Sequence, residues 1–420
     1  MIKTMELIPG VVLRCFQHNR FKQSCFSWQL VRPMRHEEAA MNSLIPAVLL
    51  RGTEKSPDLR SITLRLDDLY GASVGTVVRR IGDYQTTGLY CGFMEDAYAL
   101  PGDRLLEKMI DFVGELLFSP LRENGGFCAD FVHSEKRNLL SAIEAKFNDK
   151  RTYAGRRLIE LMCPEDSFGV PRLGAPRQIE AVDARTLWSH YQQILRESPM
   201  ELFYVGSADA RQVAELVMNR LASLDRNYVN LKPQTGFHSG QPQQVTETLE
   251  VSQGKLAMGF VTDITLRDDR FAAMQVCNTV FGSGMTGKLF TVIREKMSLC
   301  YDIGSSYHGS KGIMTVSAGI DSDKEELVRQ EILRQLEKCA RGEITGQELQ
   351  SAKQAIIAQL QATHDSPGAI ESYYGTAALS GLGMTPEQYL LAVEQVTAEQ
   401  VAAAAQTLKL HTSYFLKGVS

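Results

Sequence analysis

The chain repeats one order of predicted helices and strands, and this repeat limits the folds open to it more than any other sequence feature. In the first half, a strand-like run (SCFSWQLV, 24–31) precedes a helix-like run at 39–50, and a second helix and two alternating strands follow. In the second half, KLAMGFV (255–261) precedes a helix-like run at 271–281, again followed by a helix and two alternating strands. A repeat of this length predicts two copies of one structural unit rather than a single large core.

The later part of each half repeats as well. A long helix pair is predicted at 127–162, with a break near Asn148, and its counterpart is predicted at 346–379, with a break near Pro367. Each half then closes with a helix and a strand. Adjacent antiparallel-type strands interrupt the order too often for simple βαβ winding, so the pattern predicts an α+β fold in which each copy is a mostly antiparallel sheet covered by helices.

A polar segment with prolines and glycines separates the two copies. It spans 225–246, a composition typical of a linker. We therefore predict an N-terminal domain at 1–224 and a C-terminal domain at 247–420.

Composition excludes several partners. The 420 residues carry 45 Lys and Arg against 49 Asp and Glu, a formal net charge of −4, so nucleic acid and anionic membranes are not expected to be bound. No run approaches the roughly 18 consecutive apolar residues of a membrane helix, and the N-terminus lacks a signal-type apolar core. The eight cysteines form no CxxC pair and are expected to be reduced thiols. These features predict a cytoplasmic protein.

The histidines do not form a zinc-binding pair within one helix. The closest two of the eight, His18 and His36, are 18 residues apart. The helical zinc motifs place two imidazoles one turn apart on one face. The chain therefore has neither an HExxH nor an HxxEH motif.

A glycine-rich segment satisfies two nucleotide-binding patterns but has the wrong context for both. Gly282, Gly284 and Gly287 precede Lys288, but Leu289 stands where a P-loop has Ser or Thr, and a helix-like run precedes the glycines instead of a strand. A flexible or capping loop is favoured, and nucleotide binding remains the alternative. Lys288 and Lys296 are expected to be solvated.

The stretch from Phe281 to Tyr301 (FGSGMTGKLFTVIREKMSLCY) resembles the C-terminal-domain signature of the insulinase/pitrilysin (M16) metallopeptidases. Three segments of the first half also resemble that family. LRGT (50–53) is similar to the end of its zinc helix, LYGA (69–72) to the end of its next helix, and YVG (204–206) to its closing strand. The resemblance covers nearly the whole chain, including its duplication. It implies a LuxS/MPP-like metallohydrolase fold in both domains.

The residues that the family uses for zinc are missing. Setting Gly52 and Thr53 on the family pattern HxxEHxxxxGT places Ser43 at the first histidine, Pro46 at the catalytic glutamate and Ala47 at the second histidine. Ala142 falls at the downstream glutamate ligand, whereas Glu135 matches an acidic position that does not bind zinc. Zinc hydrolysis needs three protein ligands and a carboxylate base, so this chain is expected to hold no metal and to have no catalytic residue of its own.

The resemblance implies a substrate-binding role for two residues that are present. Arg294 and Tyr301 match family groups that bind the carbonyl of a peptide held at another domain's zinc, and both can donate hydrogen bonds to such an oxygen. The alternative from the residues alone is that Arg294 pairs with a neighbouring carboxylate and Tyr301 packs in the sheet.

The resemblance therefore implies a non-catalytic subunit. We expect a heterodimer with a zinc-bearing M16 subunit that acts on unfolded peptides, with zinc only in the partner. The alternative is a non-enzymatic peptide-binding or scaffold protein, which could be a homodimer.

Overall fold

The computed structural model describes residues 2–222, 224–231, 240–251 and 253–418, and two mixed sheets organise them. The elements of the first half are β1 (Ile2–Ile8), β2 (Val11–Gln17), β3 (Gln23–Pro33), α1 (His36–Leu49), α2 (Leu59–Asp68), β4 (Ser73–Ile81), β5 (Tyr84–Met94), α3 (Leu105–Phe118), β6 (Arg122–Glu123), β7 (Gly126–Phe127), α4 (Ala129–Asn148), α5 (Lys150–Met162), α6 (Pro176–Ala181), α7 (Ala184–Glu197), β8 (Met200–Gly206) and α8 (Ala210–Leu221).

The second half repeats this order. Its elements are β9 (Gln243–Leu249), β10 (Gly254–Val261), α9 (Phe271–Asn278), β11 (Cys300–His308), β12 (Ile313–Ile320), α10 (Glu325–Ala340), α11 (Gly346–Ala362), α12 (Pro367–Ser380), α13 (Pro386–Gln395), α14 (Ala398–Thr407) and β13 (Lys409–Gly418). Two π-helical segments, Thr279–Ser283 and Leu289–Lys296, lie between α9 and β11. The predicted helix at 271–281 therefore changes to π-helical hydrogen bonding after Asn278.

The sheet orders confirm the duplication. The first sheet has the order β1-β2-β8-β3-β5-β4 and the second has the order β11-β12-β10-β13-β9. Pairing is antiparallel except between β2 and β8 and between β13 and β9, which are parallel. Read from β4 or from β11, five strands follow the same order in both sheets. The predicted α+β fold with two mostly antiparallel sheets is confirmed.

The predicted linker is partly a strand. Residues 243–246 belong to β9, which pairs with β13 at the edge of the second sheet. Pro233 and Gly236, two of the residues that suggested a linker, lie outside the described residues. The composition was misleading because an edge strand is paired on one side only and tolerates polar side chains.

Alternating side chains build the first core. Phe26, Trp28 and Leu30 of β3 are fully buried among α-helical residues such as Phe112 and Tyr191. The intervening Ser27 and Gln29 point to the opposite face, as the period of a strand requires. Both faces of this central strand are therefore covered.

The compact units do not follow the sequence halves throughout. Glu144–Gly169, which contains α5, belongs with the second sheet, and His364–Thr376, which contains most of α12, belongs with the first. We call the first sheet with its helices and 364–376 the first unit, and the second sheet with its helices and 144–169 the second unit. Ala154 and Leu158 of α5 pack on Ala257 and Tyr414 of the second sheet, which explains this assignment.

Across the described ranges, no helix combines the length and the apolar character that crossing a bilayer requires.

Candidate functional site

A cavity of about 550 Å3 in the second unit contains most of the residues that the sequence singled out. We call it the glycine-segment cavity. Its lining consists of Arg151, Gly282, Ser283, Gly284, Met285, Phe290, Arg294, Tyr301, Asp302, Ile303, Gly304, Ser305, Ser306, Thr315 and Ser317. The structure thus brings Arg294 and Tyr301 together with two of the three predicted glycines, whereas Gly287 does not line the cavity.

Close packing explains two of the three glycines. A Cβ on Gly282 would lie 2.4 Å from Leu289 Cδ1, and a Cβ on Gly287 would lie 3.0 Å from the Cα of Gly282. The Gly287 N–H donates to the Gly284 carbonyl at 3.0 Å, which closes a tight turn. A Cβ on Gly284 would meet no atom within 4 Å, so Gly284 faces open space at the cavity.

Lys288 differs from its predicted position. It is buried rather than solvated, and its Nζ donates to Glu348 Oε1 at 2.7 Å. Burial would raise the pKa of Glu348, but the hydrogen bond from Lys288 and that carboxyl's other partners hold it below its ordinary value. Lys288 therefore anchors the glycine segment to α11 and is not placed as a P-loop lysine, whereas Lys296 is exposed as predicted.

Arg294 lies in the second π-helical segment, a type of helix distortion that is frequent at functional sites. Its guanidinium carbon stacks 4.6 Å from the centre of the Phe290 ring, and its side chain is 41% exposed. The neighbouring carboxylate of Glu295 approaches Arg294 Nε only to 3.9 Å, which is too long for a hydrogen bond. The donors of Arg294 are thus available to a ligand in the cavity.

Tyr301 lies at a bulge at the start of edge strand β11. The pairing of β11 with β12 shifts between Cys300 and Asp302, so Tyr301 has no partner in the register. Bulges change the direction of a side chain and are common next to active sites. Tyr301 is 63% exposed and is not packed in the sheet.

Arg151 and Asp302 complete the polar wall of this cavity, and sequence reasoning missed both. Arg151 is the second residue of α5, and its Nη1 lies 3.1 Å from Asp302 Oδ2. Asp302 directly follows the predicted Tyr301, but Arg151 is distant in sequence and reaches the cavity only because α5 belongs to the second unit. No local motif could have indicated it.

The positions that the family resemblance assigns to zinc lie on α1 and α4 in the first unit. Ser43 Oγ donates to the carbonyls of Ala39 at 2.8 Å and Arg172 at 3.2 Å, so this hydroxyl is used within the protein. Pro46 is buried inside α1, and Ala142 is exposed on α4. Ala47 provides only a methyl group.

A second cavity, of about 280 Å3, opens beside this helix, and we call it the α1 cavity. It is lined by Ser43, Leu44, Ala47, Thr76, Val78, Glu135, Asn138, Leu139, Arg172 and Leu173. Two of the four predicted zinc positions, Ser43 and Ala47, therefore line one cavity, but Pro46 and Ala142 do not.

These residues do not fit a zinc ion. A hydroxyl already bonded to two carbonyls, a proline and two alanines provide none of the imidazole, thiolate or carboxylate groups that zinc prefers. In the part of the chain that the structure describes, no group of three or more His, Cys, Asp or Glu side chains is arranged to hold a metal ion.

Comparisons with known proteins relate the chain to the M16 peptidases. A family model described as the peptidase M16 inactive domain matches residues 181–356. Over 409 residues the chain is 29% identical to the "Probable inactive metalloprotease YmfF" of Bacillus subtilis, covering 97% of this chain and 96% of that relative. The chain is an inactive M16-family peptidase homologue.

Solved structures extend the M16 resemblance to the fold. A conserved protein from Enterococcus faecalis superposes with a TM-score of 0.91 at 27% identity, covering 100% of this chain and 99% of the other. A peptidase M16 inactive domain from Pseudomonas fluorescens has a TM-score of 0.82 at 16% identity, covering 100% and 98%, which supports the fold alone. The M16 resemblance noted from the glycine segment and its Arg-Tyr pair is thus confirmed.

Proposed function

We propose that this M16 homologue is the non-catalytic subunit of a heterodimeric zinc peptidase and binds unfolded peptide substrates for a zinc-bearing M16 partner subunit. Arg294 and Tyr301 would donate hydrogen bonds to a peptide carbonyl while the partner's metal site carries out hydrolysis. In this proposal the present chain contributes no metal ligand and no general base.

The glycine-segment cavity is the observation that carries this proposal. Arg294, which makes no hydrogen bond to the neighbouring Glu295 carboxylate 3.9 Å away, faces the same space as the bulged, exposed Tyr301, and both are suited to a carbonyl or a developing oxyanion. Hydroxyl groups of Ser283, Ser306 and Thr315 also line it and can bond to an extended peptide backbone. A cavity of about 550 Å3 admits a few peptide residues and no folded domain.

The residues of α1 support the assignment of substrate binding to this chain and of hydrolysis to its partner. The chain retains the substrate-binding pair but has no residues that fit zinc at the aligned positions, so hydrolysis requires another subunit. The cysteines of the described chain are buried and form no disulfide with one another, which favours a reducing compartment, and we place the assembly in the cytoplasm.

Reconstitution tests the proposal directly. The tagged chain is isolated from its native cell with its partner, and zinc content and hydrolysis of a quenched-fluorescent unfolded peptide are measured for each subunit and for the mixture. We expect zinc in the partner alone and strong hydrolysis only in the mixture. In Arg294→Ala, we expect kcat/KM of the mixture to fall about 100-fold, a typical loss for one donor to a developing oxyanion.

The matched control is Lys296→Ala, which removes an exposed cation from the same π-helical segment without altering the cavity lining. This variant should retain full activity, and size-exclusion chromatography should show the same heterodimer for both variants. Unchanged kcat/KM in Arg294→Ala would contradict the substrate-binding role. A homodimer that binds peptide without any zinc subunit would support the scaffold alternative instead.

A further inference from the structure

The α1 cavity holds a guanidinium whose charge is not balanced by a carboxylate of the described residues. Arg172 Nη1 donates to the Val78 carbonyl, and no carboxylate of the described chain is recorded as its ion-pair partner. Burial lowers the pKa of the Arg172 guanidinium, and no neighbouring carboxylate opposes this shift. Arginine nevertheless remains protonated in proteins, so the cavity wall is cationic.

Neighbouring hydrogen bonds fix the position of Arg172. Its carbonyl accepts from Ser43 Oγ at 3.2 Å and from Gln85 Nε2 at 2.7 Å. Gln85 Oε1 in turn accepts from Asn42 Nδ2 at 2.9 Å, and Asn42 Oδ1 is 2.8 Å from His190 Nε2. These bonds hold the backbone at Arg172, and the bond from Nη1 to the Val78 carbonyl holds its guanidinium, so the charged group is preorganised for a ligand.

Glu135 does not neutralise this cation. Its carboxylate already accepts hydrogen bonds from Arg51 Nη1 at 3.4 Å and Asn138 Nδ2 at 3.1 Å. Because Arg51 balances Glu135, the charge of Arg172 remains for a ligand. The ligand must carry apolar groups as well, because most other lining side chains are apolar, namely Leu44, Ala47, Val78, Leu139 and Leu173.

We propose that the α1 cavity binds the carboxylate of a short apolar peptide segment, with the Arg172 guanidinium as its partner. A planar guanidinium fork matches a carboxylate through two parallel hydrogen bonds. The volume of about 280 Å3 suits one or two residues, and Glu135 disfavours a doubly charged phosphate. This site belongs to the first unit, whereas Arg294 and Tyr301 belong to the second, so it goes beyond the proposed function.

Binding of small peptides to the full-length chain tests this site. N-acetyl-Leu-Leu with a free carboxylate and the same dipeptide as its amide are titrated by isothermal calorimetry. We expect the acid to bind at least about tenfold more tightly than the amide, and Arg172→Met to remove this difference. A third probe, N-acetyl-Leu-Asp amide, distinguishes a side-chain carboxylate from a C-terminal one.

Two controls separate this site from its surroundings. Arg177→Met removes an exposed arginine of α6 and should preserve the preference for the acid, as should Arg294→Ala. If Arg172→Met does not fold, Arg172→Lys replaces it. This variant keeps the positive charge but cannot form the two parallel hydrogen bonds of a guanidinium, so it should reduce the preference for the acid over the amide. Equal affinity for acid and amide, no binding of either acidic probe, or an unchanged preference in a folded Arg172 variant would overturn the proposal.

Discussion

Pro46 lies in the third turn of α1, where it has no N–H to donate to the carbonyl of Asn42. A proline inside a helix typically costs about 3 kcal/mol, in part because this hydrogen bond is lost. Here the hydroxyl of Thr87, from neighbouring β5, donates to the Asn42 carbonyl at 2.6 Å. A buried carbonyl that the proline would leave unpaired is therefore satisfied by a side chain from the sheet.

We predict that Thr87→Val lowers the free energy of unfolding by about 1–3 kcal/mol, because it leaves the buried Asn42 carbonyl without a donor. In Pro46→Ala the helix regains its own N–H donor to that carbonyl, so Thr87→Val should cost less in this background. Chemical denaturation of the wild type, the two single variants and the double variant forms a double-mutant cycle. We expect a coupling energy of about 1 kcal/mol between the two substitutions.

The adjacent Thr86 provides the matched control. It is fully buried, but its hydroxyl has no hydrogen-bond partner among the described residues. Thr86→Val should therefore be neutral or stabilising, since it removes an unsatisfied polar atom. Additive effects of Pro46→Ala and Thr87→Val would contradict the compensation.

Alignment on Gly52 and Thr53 could predict which residues lack zinc chemistry, because that prediction needs only residue types at fixed spacing. It could not predict the roles of Ser43 or Arg172. Ser43 serves as a donor to a carbonyl 129 positions away, and such a contact depends on the tertiary fold rather than on spacing. The sequence could likewise not predict the bulge that exposes Tyr301, because the bulge arises from the pairing register of two strands.

At the level of elements, α12 covers the face of the first sheet opposite its main core. Glu371 of this helix is fully buried and accepts hydrogen bonds from Ser27 Oγ at 2.8 Å and Gln29 Nε2 at 2.8 Å. The two terminal guanidinium nitrogens of Arg79, Nη1 and Nη2, donate to the Glu371 carboxylate at 3.1 and 2.9 Å. The polar residues of β3 thus have a specific helix partner.

We predict that Glu371→Ala destabilises the protein by about 3 kcal/mol, because it leaves Arg79, Ser27 and Gln29 without their shared acceptor. Thermal and chemical denaturation measure this loss. Glu394→Ala is the control, since Glu394 is an exposed carboxylate on α13, and it should change stability by less than about 0.5 kcal/mol. Equal effects of the two substitutions would show that the buried carboxylate does not hold α12.

Helical periodicity was sufficient to predict the helix pairs and their breaks, as the boundaries of α4, α5, α11 and α12 show. It could not predict which sheet each helix covers. An apolar stripe fixes the face that a helix buries but not its partner, so α5 was assigned to the sheet nearest in sequence. The polar strand β9 was missed because only one of its edges is paired.

For the whole molecule, the duplication produces two units that each contain a helical segment from the other half of the sequence. The first sheet is covered by residues 364–376, with Ile370 packed against Phe16 and Val205. The second sheet is covered by α5. Met162 of this helix packs so closely on Gly259 that a Cβ at that position would lie 2.5 Å from Met162 Sδ. Neither half of the sequence contains all the residues of one unit.

We therefore predict that fragments 1–231 and 240–420 do not fold cooperatively when expressed alone. The first fragment lacks Glu371 and Ile370, which leaves the polar side chains of β3 and the apolar Phe16 uncovered. The second lacks α5, which exposes Ala257 and Tyr414. Each exposed face should lead to aggregation or a broad thermal transition.

Co-expression of the two fragments should restore a soluble complex, because all covering segments are then present and only the chain connection is missing. Affinity purification through a tag on either fragment and calorimetry of the product measure this outcome. A fusion of 1–231 with 364–380 provides the control, because it regains Glu371 and should therefore fold better than 1–231 alone. A sharp two-state transition of the unfused 1–231 fragment would show instead that the exchanged helix is dispensable, and the contiguous domains predicted from the sequence would then describe the folding units.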